Sequence, residues 1–109
     1  MIIKLKLDYL PSVNYYFAYP SIKKQFISHI KLNNEIKPLK INKPVKLSIV
    51  IKDRNAKKRD LDNYLKCLID SLVALSIIKD DRLIYEIKAK KAKWNKDFIL
   101  VKMFIKVLH

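Results

Sequence analysis

The chain of 109 residues contains no glycine. Gly-rich phosphate loops, such as the P-loop and the dinucleotide-binding fingerprint, need the backbone freedom of glycine, so both kinds of nucleotide site are excluded. Turns that require a positive φ must use other residues, and asparagine tolerates that conformation better than most. We therefore expect such turns at asparagines, namely at Asn33-Asn34, Asn42, Asn55 and Asn95.

Cysteine and long apolar runs are also scarce. Cys67 is the one cysteine of the chain and cannot form an internal disulfide, which is typical of proteins from reducing compartments. No apolar run approaches the roughly 18 residues of a membrane span. The start of the chain, "MIIKLKLDYLPS", lacks the pattern of a signal peptide. We therefore expect a cytoplasmic protein without a membrane partner.

Acidic residues are few as well, with 10 Asp and Glu against 24 Lys and Arg, so the formal net charge is +14. A surplus of this size attracts polyanions, of which nucleic acid is the commonest. A ribosomal protein or a membrane-surface binder would carry similar charge, so the charge alone identifies no activity. The length and the apolar half of the composition predict one folded domain over residues 1–109.

Hydrophobic spacing predicts the secondary structure. The segments "IIKLKLD" and "VKLSIVIK" alternate as strands do, and "YLPSVNYYFAYP" between them reads as an aromatic loop. A basic amphipathic helix is predicted from Ser21, as its N-cap, to about Asn33. A second helix with a leucine stripe is predicted from about Asp62 to Leu75.

Two further strands, "RLIYEIKAKKAKW" and "FILVKMFIKVL", are predicted to form a hairpin joined at "NKD". The element order is then βαβαββ. This order favours an α+β domain in which two helices pack on one side of a mixed sheet.

Five of the ten acidic residues lie between Asp60 and Asp81. Residues four apart share one face of a helix, so Asp62, Lys66 and Asp70 are expected to form an acid–base–acid row. Asp60 and Asp62 would come side by side only if the backbone between them were extended. This segment is the natural candidate for a site.

Two interpretations of the aspartates are open at this stage. They can be helix caps, surface ion pairs and turn residues. They can also bind a divalent cation, because Mg²⁺ prefers carboxylate oxygens and phosphoryl-transfer sites use them. A zinc site is unfavourable, because the chain offers only Cys67 with the widely separated His29 and His109. A nucleophilic Cys67 is unfavourable too, because no histidine lies near it in sequence.

The segment "RDLDNYLKCLIDSLVALSIIKDDRLI" resembles the signature of RusA-type Holliday-junction resolvases, which is D-x-D-N-x-x-K-x-x-x-D, a helix, and then a D-D pair before a strand. Here the pattern is filled by Asp60, Asp62, Asn63, Lys66, Asp70, Asp80 and Asp81. "LPSVNYY" resembles the early loop of the same family through Pro11, Ser12, Asn14 and Tyr16.

The resemblance implies a homodimer with Mg²⁺-dependent active sites that cut four-way DNA junctions in recombination and repair. Asp60, Asp62 and Asp81 match the catalytic metal-site carboxylates, and Lys66 matches an essential lysine. Asn63, Asp70 and Asp80 match supporting positions, with Asp70 expected to orient Lys66 or a bound water. The missing glycines, the very lysine-rich hairpin and a slightly shorter chain depart from the family pattern.

Basic residues on both sides of the motif are candidates for DNA binding: Arg54, Lys57, Lys58, Arg59, Lys88, Lys90, Lys91 and Lys93. Trp94 could stack on a base or pack at a strand end, and Tyr15, Tyr16 and Tyr19 could line a junction or close the core. Two alternatives to a junction resolvase remain. One is a non-catalytic nucleic-acid-binding module, and the other is a Mg²⁺ nuclease for other branched DNA or RNA.

Overall fold

Four strands and three helices make up most of residues 1–108, the part of the chain that the computed structural model describes. The strands are β1 (Ile2–Leu7), β2 (Val45–Lys52), β3 (Ile84–Ala92) and β4 (Ile99–Val107). The helices are α1 (Val13–Ala18), α2 (Pro20–Asn33) and α3 (Leu61–Ala74), with 3₁₀ turns at Ala56–Lys58 and Asp81–Leu83.

The four strands form one mixed sheet in the order β1-β4-β2-β3. β4 runs antiparallel to both β1 and β2, whereas β3 runs parallel to β2. Every second residue of β2, from Val45 to Ile51, is buried, and Val101, Met103 and Ile105, the neighbours of Ile51, Ile49 and Leu47 on β4, are buried as well. The helices therefore cover one face of the sheet, and the predicted α+β class is confirmed.

The predicted hairpin between the last two strands is wrong. β3 and β4 lie on opposite sides of β2, and residues 93–98 pass over the end of β2 to connect them. The burial of the two strands explains the difference. β4 buries Ile99, Val101, Met103 and Ile105 and fits the centre of the sheet, whereas β3 has few large apolar residues and fits an edge.

The helices differ from the prediction at their N-terminal ends. The predicted aromatic loop contains α1, which buries Tyr16. α2 begins at Pro20 with Tyr19 as its N-cap, so Ser21 is inside the helix and its predicted capping role is wrong. Proline suits the first helical position because its missing N–H would have no partner there. The bounds of α3 agree with the prediction to within one residue.

Positive φ angles occur at Lys40 (53°) and Ser76 (59°), so the prediction that asparagines would supply them is wrong. Ser76 follows α3 and lets the chain reverse, and the N–H of Ile77 then donates to the carbonyl oxygen of Leu72 at 3.0 Å. Glycine commonly occupies such a position after a helix. This chain ends α3 in the same way with a serine.

The core lies between the sheet and the helix layer. Tyr16, Phe26 and Leu68 are fully buried contributions from α1, α2 and α3 respectively. The leucine stripe of α3 is confirmed, with Leu68 and Leu72 inside the core. None of the helices in the described part of the chain has the length and apolar character needed to span a membrane.

Replacing Leu68 by alanine should lower the free energy of unfolding by about 2–5 kcal/mol, because it leaves a cavity in a fully buried position. The matched control is Leu32→Ala on α2, where the side chain is 86% exposed and the cost should be below about 0.5 kcal/mol. Urea unfolding measures both values. Equal losses would contradict the position of α3 in the core.

Candidate active site at the start of α3

Asp60 is the N-cap residue of α3, with φ −68° and ψ 146°, and the helix begins at Leu61. The backbone is thus extended at Asp60 only, and the expected extended segment from Asp60 to Asp62 is wrong. Asp62 lies in the first helical turn. The Asp60 side chain makes no capping hydrogen bond, so its carboxylate does not serve as a helix cap.

Asp62 and Lys66 lie one turn apart on α3, and both side chains are exposed. Within residues 1–108, neither takes part in a side-chain hydrogen bond or an ion pair. An aspartate and a lysine at this spacing commonly pair on a helix surface. Here both charges remain available to a ligand.

Asp70, the third member of the row, has structural partners. Its Oδ2 accepts a hydrogen bond from the Tyr16 hydroxyl at 2.6 Å and lies 2.9 Å from the Lys23 ammonium. These contacts join α3 to α1 and α2. Burial raises the pKa of the Tyr16 hydroxyl, and the hydrogen bond to Asp70 adds to the shift. Asp70 thus stabilises the helix layer beside the candidate site.

The connection between β2 and α3 is held by Asp53, a residue that sequence reasoning missed. Its Oδ2 accepts a hydrogen bond from the Tyr64 hydroxyl at 2.6 Å, and its Oδ1 accepts one from the N–H of Asn55 at 2.9 Å. Burial, followed by the bond to Asp53, raises the pKa of Tyr64. An aspartate after a strand carries no sequence signal for a partner on the next helix.

Two residues predicted to bind DNA also hold this connection in place. The guanidinium of Arg59 donates to the carbonyl oxygens of Leu10 and Pro11, each at 2.8 Å. The Lys91 ammonium donates to the carbonyl oxygens of Ala56 at 2.8 Å and Arg59 at 2.7 Å. Arg59 therefore fixes the loop before α1 against the start of α3.

Beside these contacts lies a cleft of about 250 Å³, which is lined by residues from both the "LPSVNYY" loop and the aspartate motif. Ser12 and Asn14 come from the start of α1, and Asp60 and Asn63 come from the start of α3. The complete lining is Ser12, Val13, Asn14, Lys58, Arg59, Asp60 and Asn63. The "PSVN" segment is thus brought to Asp60 and Asn63, although it lies far from both of them in sequence.

Asp80 and Asp81 lie at the other end of α3. The N–H of Arg82 donates to Asp80 at 2.9 Å and its guanidinium donates at 2.8 Å, and these bonds hold the pKa of Asp80 well below its usual range. Asp80 is therefore a capping residue of the turn before β3. Asp81 is exposed at the same turn.

The three predicted metal ligands do not fit one cation within a single chain. α3 has 14 residues, and at 1.5 Å per residue it separates Asp60 and Asp62 from Asp81 by roughly 20 Å. Residues 1–108 hold no group of three or more His, Cys, Asp and Glu side chains that could share a metal ion. The predicted Asp60, Asp62 and Asp81 set is thus divided between two ends of the molecule.

The histidines and Cys67 offer no alternative centre in the described residues. His29 Nε2 accepts a hydrogen bond from the N–H of Asp8 at 3.0 Å, so His29 has a structural role. His109 lies outside the described residues. Cys67 is buried, and this burial raises the pKa of its thiol to about 11, so a nucleophilic thiolate is disfavoured.

The basic residues fall into two groups. Arg54, Lys57 and Lys58 are exposed beside the cleft, while Lys93 follows β3 at the same end of the sheet. Lys88 and Lys90 lie on the face of the sheet that the helices leave open. The strand registers place six more lysines on that open face: Lys4, Lys6, Lys46, Lys52, Lys102 and Lys106. Alternation within the strands was the sequence signal for this surface.

The aromatic residues that could line a junction or close the core fall into a buried and an exposed group. Tyr16 is in the core, whereas Tyr15 and Tyr19 are 60% and 53% exposed and pack against each other on the helix layer. The indole N–H of Trp94 donates to the carbonyl oxygen of Phe98 at 2.9 Å, and the two rings meet edge to face. Trp94 therefore closes the connection between β3 and β4.

Comparison with known protein families adds to this geometry. The family model described as endodeoxyribonuclease RusA matches residues 8–105, which include both halves of the cleft and both ends of α3. The chain belongs to the RusA family. The resemblance carried by the aspartate motif is thereby confirmed.

One curated RusA relative illustrates the distance within the family. The crossover junction endodeoxyribonuclease RusA of Aquifex aeolicus (strain VF5) is 32% identical over 74 residues, which cover 67% of this chain and 59% of the relative. The chain thus matches about three-fifths of the length of that RusA protein.

The raised pKa values of Tyr16 and Tyr64 predict a specific loss of stability in alkali. Both pKa values are higher in the folded than in the unfolded chain. The neutral forms of Tyr16 and Tyr64 therefore contribute their full stabilisation below about pH 10. This contribution is lost as the pH rises towards the pKa values of the folded chain. The free energy of unfolding in urea should fall above about pH 10. In the double variant Tyr16→Phe/Tyr64→Phe this fall should be smaller.

The matched control is Tyr85→Phe, because Tyr85 is 70% exposed. It should leave the alkaline fall unchanged. If it reduced the fall as much as the double variant did, the two buried tyrosine–aspartate bonds would not be its cause.

Proposed function

We propose that this chain is an endodeoxyribonuclease that hydrolyses phosphodiester bonds in branched DNA, with four-way junctions as its preferred substrate. It acts in recombination and repair as a homodimer. The observation that carries the proposal is the set of unengaged charges at the start of α3. The side chains of Asp60, Asp62 and Lys66 have no hydrogen-bond or ion-pair partners in the described chain, and all three lie within the residues that the RusA family model matches.

Lys66 is the proposed catalytic cation. Its ammonium is exposed one helical turn from Asp62, where it can contact the phosphate that is being cut. A fixed positive charge at this position stabilises the negative charge that develops on phosphate oxygens in the transition state.

A divalent cation, with Mg²⁺ as its proposed identity, is part of the hypothesis because carboxylates without structural contacts suit it. Asp60 and Asp62, which lie at the same end of α3, are its proposed ligands, whereas Asp81 lies too far from them to bind the same ion within one chain. Asn63 lines the cleft beside Asp60 and is proposed to help position the DNA backbone.

The exposed cations beside the cleft are the proposed phosphate contacts. Arg54, Lys57 and Lys58 would direct the DNA backbone to the start of α3. Lys88 and Lys90 belong to the open lysine face, which offers a second surface for the arms of a branched substrate. Tyr15 and Tyr19 provide an exposed aromatic surface on which an unpaired base can stack.

The open lysine face also favours a second candidate function, a basic module that binds nucleic acid without cutting it. A cleavage assay separates the two. Synthetic four-way junctions, linear duplex DNA and branched RNA are incubated with the protein, with and without Mg²⁺. The proposal predicts cleavage of the junctions only when Mg²⁺ is present.

Lys66→Ala should slow junction cleavage at least about 100-fold, the scale of one lost electrostatic stabiliser, while junction binding changes little. The matched control is Lys24→Ala, which removes an exposed helical lysine of α2 and should leave the rate unchanged. Single-turnover cleavage and a binding titration measure the two effects. Equal rates in both variants would reject a catalytic role for Lys66.

Replacing both Lys57 and Lys58 by alanine should weaken junction binding and flatten its salt dependence. Each lost phosphate contact reduces the slope of log affinity against log salt by about 0.9 on duplex arms. The control Lys24→Ala/Lys31→Ala removes the same charge from exposed positions of α2. If both double variants flattened the slope equally, the effect would come from net charge and not from a contact beside the cleft.

A further inference from the structure

We propose that the open lysine face of the sheet is a second nucleic-acid site, in which a base of single-stranded DNA stacks on Phe104 and lysines beside the ring bind the flanking phosphates. This site is separate from the cleft at the start of α3 and takes no part in cleavage. Its use for the unpaired strands of a branched substrate rests on the proposed nuclease function, whereas the binding itself does not.

Most of the charge on the open lysine face has no internal partner. Eight lysines occupy strand positions on this face, and Glu86 is the single acidic residue at those positions. Glu86 pairs with Lys46 at 3.3 Å. Five of the lysines have no side-chain hydrogen bond or ion pair in residues 1–108: Lys4, Lys88, Lys90, Lys102 and Lys106. Such a surface is complementary to a polyanion.

Phe104 is an exposed aromatic ring in the middle of these charges. It lies on β4, which has a neighbouring strand on both sides, and Lys102 and Lys106 lie two residues before and after it on the same face. At about 3.3 Å per residue, each lysine is roughly 7 Å from the ring along the strand. The ring is 45% exposed, lies outside the core cluster and makes none of the ring–ring or cation–ring contacts found in residues 1–108.

The neighbouring strands leave the ring accessible. Ile2 of β1 and Ser48 of β2 are the registered neighbours of Phe104. Ile2 is exposed and extends the apolar surface, while the small side chain of Ser48 leaves space beside the ring. In the next row, Lys4 and Lys102 are registered with each other. A base can therefore reach the ring while its phosphates contact the surrounding lysines.

A second aromatic group lies at the end of the same face. The Lys6 ammonium is 4.4 Å from the centre of the Phe98 ring, and the Lys52 ammonium is 5.9 Å from that of Trp94. Phe98 is six residues before Phe104, so about 20 Å separate the two aromatic positions. Bases stacked at about 3.4 Å would cover this distance with roughly six nucleotides.

The exposed ring favours a single strand over a duplex. In a duplex the faces of the bases are covered by their neighbours in the stack, so a protein surface meets only phosphates, sugars and base edges. Lysines alone suffice for the phosphates, and Phe104 would then have no use. In a single strand the base faces are accessible, and an aromatic ring between cations binds a base and its phosphates together.

DNA is the proposed polymer because the chain belongs to a family of endodeoxyribonucleases. Stacking on a ring and contact with ammonium groups do not by themselves recognise the 2′-hydroxyl group, which is the feature that distinguishes RNA from DNA. The matching RNA strand is therefore a necessary part of the test.

Binding of a fluorescent oligothymidine of about twelve nucleotides, within the range of known single-strand sites, tests the proposal by anisotropy in EDTA. Phe104→Ala should weaken this binding at least about fivefold, the lower end of the loss for one base stack, while duplex binding changes little. The matched control is Phe17→Ala on α1, because Phe17 is 55% exposed and lies outside the open lysine face. It should bind as wild type does, and thermal melts check that both variants are folded.

The lysines beside the ring give a second test that leaves Phe104 in place. Replacing both Lys102 and Lys106 by alanine should flatten the slope of log affinity against log salt by about 0.7 for each lost phosphate contact on a single strand. The control Lys24→Ala/Lys31→Ala removes the same charge from α2. An equal change in both double variants would show that net charge alone attracts the strand.

Trp94 is the one tryptophan of the chain, so its fluorescence reports on the far end of the face. Bound oligothymidine should quench this fluorescence, because a base then stacks near the indole ring. Unchanged emission from the saturated complex would overturn the proposed path of the strand across the face.

Three results would overturn the assignment itself. Equal losses in Phe104→Ala and Phe17→Ala would remove the role of the ring. A loss of duplex binding in Phe104→Ala as large as the loss of single-strand binding would assign the face to duplex arms. Tighter binding of the matching oligouridine than of oligothymidine would assign it to RNA.

None of these measurements contains a cleavage step, so they separate this site from the nuclease. A protein that binds single strands through Phe104 but cuts no junction would keep the site and reject the nuclease. A protein that cuts junctions while Phe104→Ala binds single strands normally would reject the site and keep the nuclease.

Discussion

The parallel pairing of β2 with β3 constrains the rest of the molecule. A chain that leaves the end of one strand and enters the next strand in the same direction must return along the whole length of the sheet, and α3 makes that return. The residues before α3 and those after it consequently lie at opposite ends. Asp60 and Asp81 are thus far apart in space because they are the two ends of one crossover.

The aspartates around this crossover divide into those that bond to a tyrosine or an arginine and those whose side chains have no partner in the described chain. Asp53, Asp70 and Asp80 each bond to a tyrosine or an arginine and hold a turn or a helix in place. Buried or bonded carboxylates of this kind rigidify the surroundings of a site. Asp60 and Asp62 have no such partners in the described chain, and they lie at the start of α3, where these bonds make the surrounding backbone rigid.

The backbone around the start of α3 is held by contacts between segments that are distant in sequence. Arg59 reaches the loop before α1, and Lys91 reaches back from β3 to the connection that contains Arg59. Together these two cations bring "PSVN" next to Asp60. Positive charge in this protein therefore has structural uses as well as the proposed contacts with DNA.

The sequence by itself determined the strands, helix α3 and the family of the chain. The alternation of apolar and polar residues predicted β1 and β2, the spacing of the leucines predicted α3, and the aspartate motif identified the family. Each of these signals lies within a short stretch of sequence. Helix α1 and the start of α2 were missed, since Pro20 and the aromatic residues around it read as a loop.

Only the tertiary structure decided how the strands pair and how far the carboxylates lie from one another. A strand inside the sheet must pair with a neighbour on both of its edges, and the apolar β4 does so with β1 and β2. β3 therefore lies at the edge beside β2 and does not pair with β4, as it would in a hairpin. The roles of Asp53, Arg59 and Asp70 depend on contacts across many residues, which no local spacing encodes. The sequence therefore named the charged residues of the candidate site, and the path of the chain in space decided which of them lie close together.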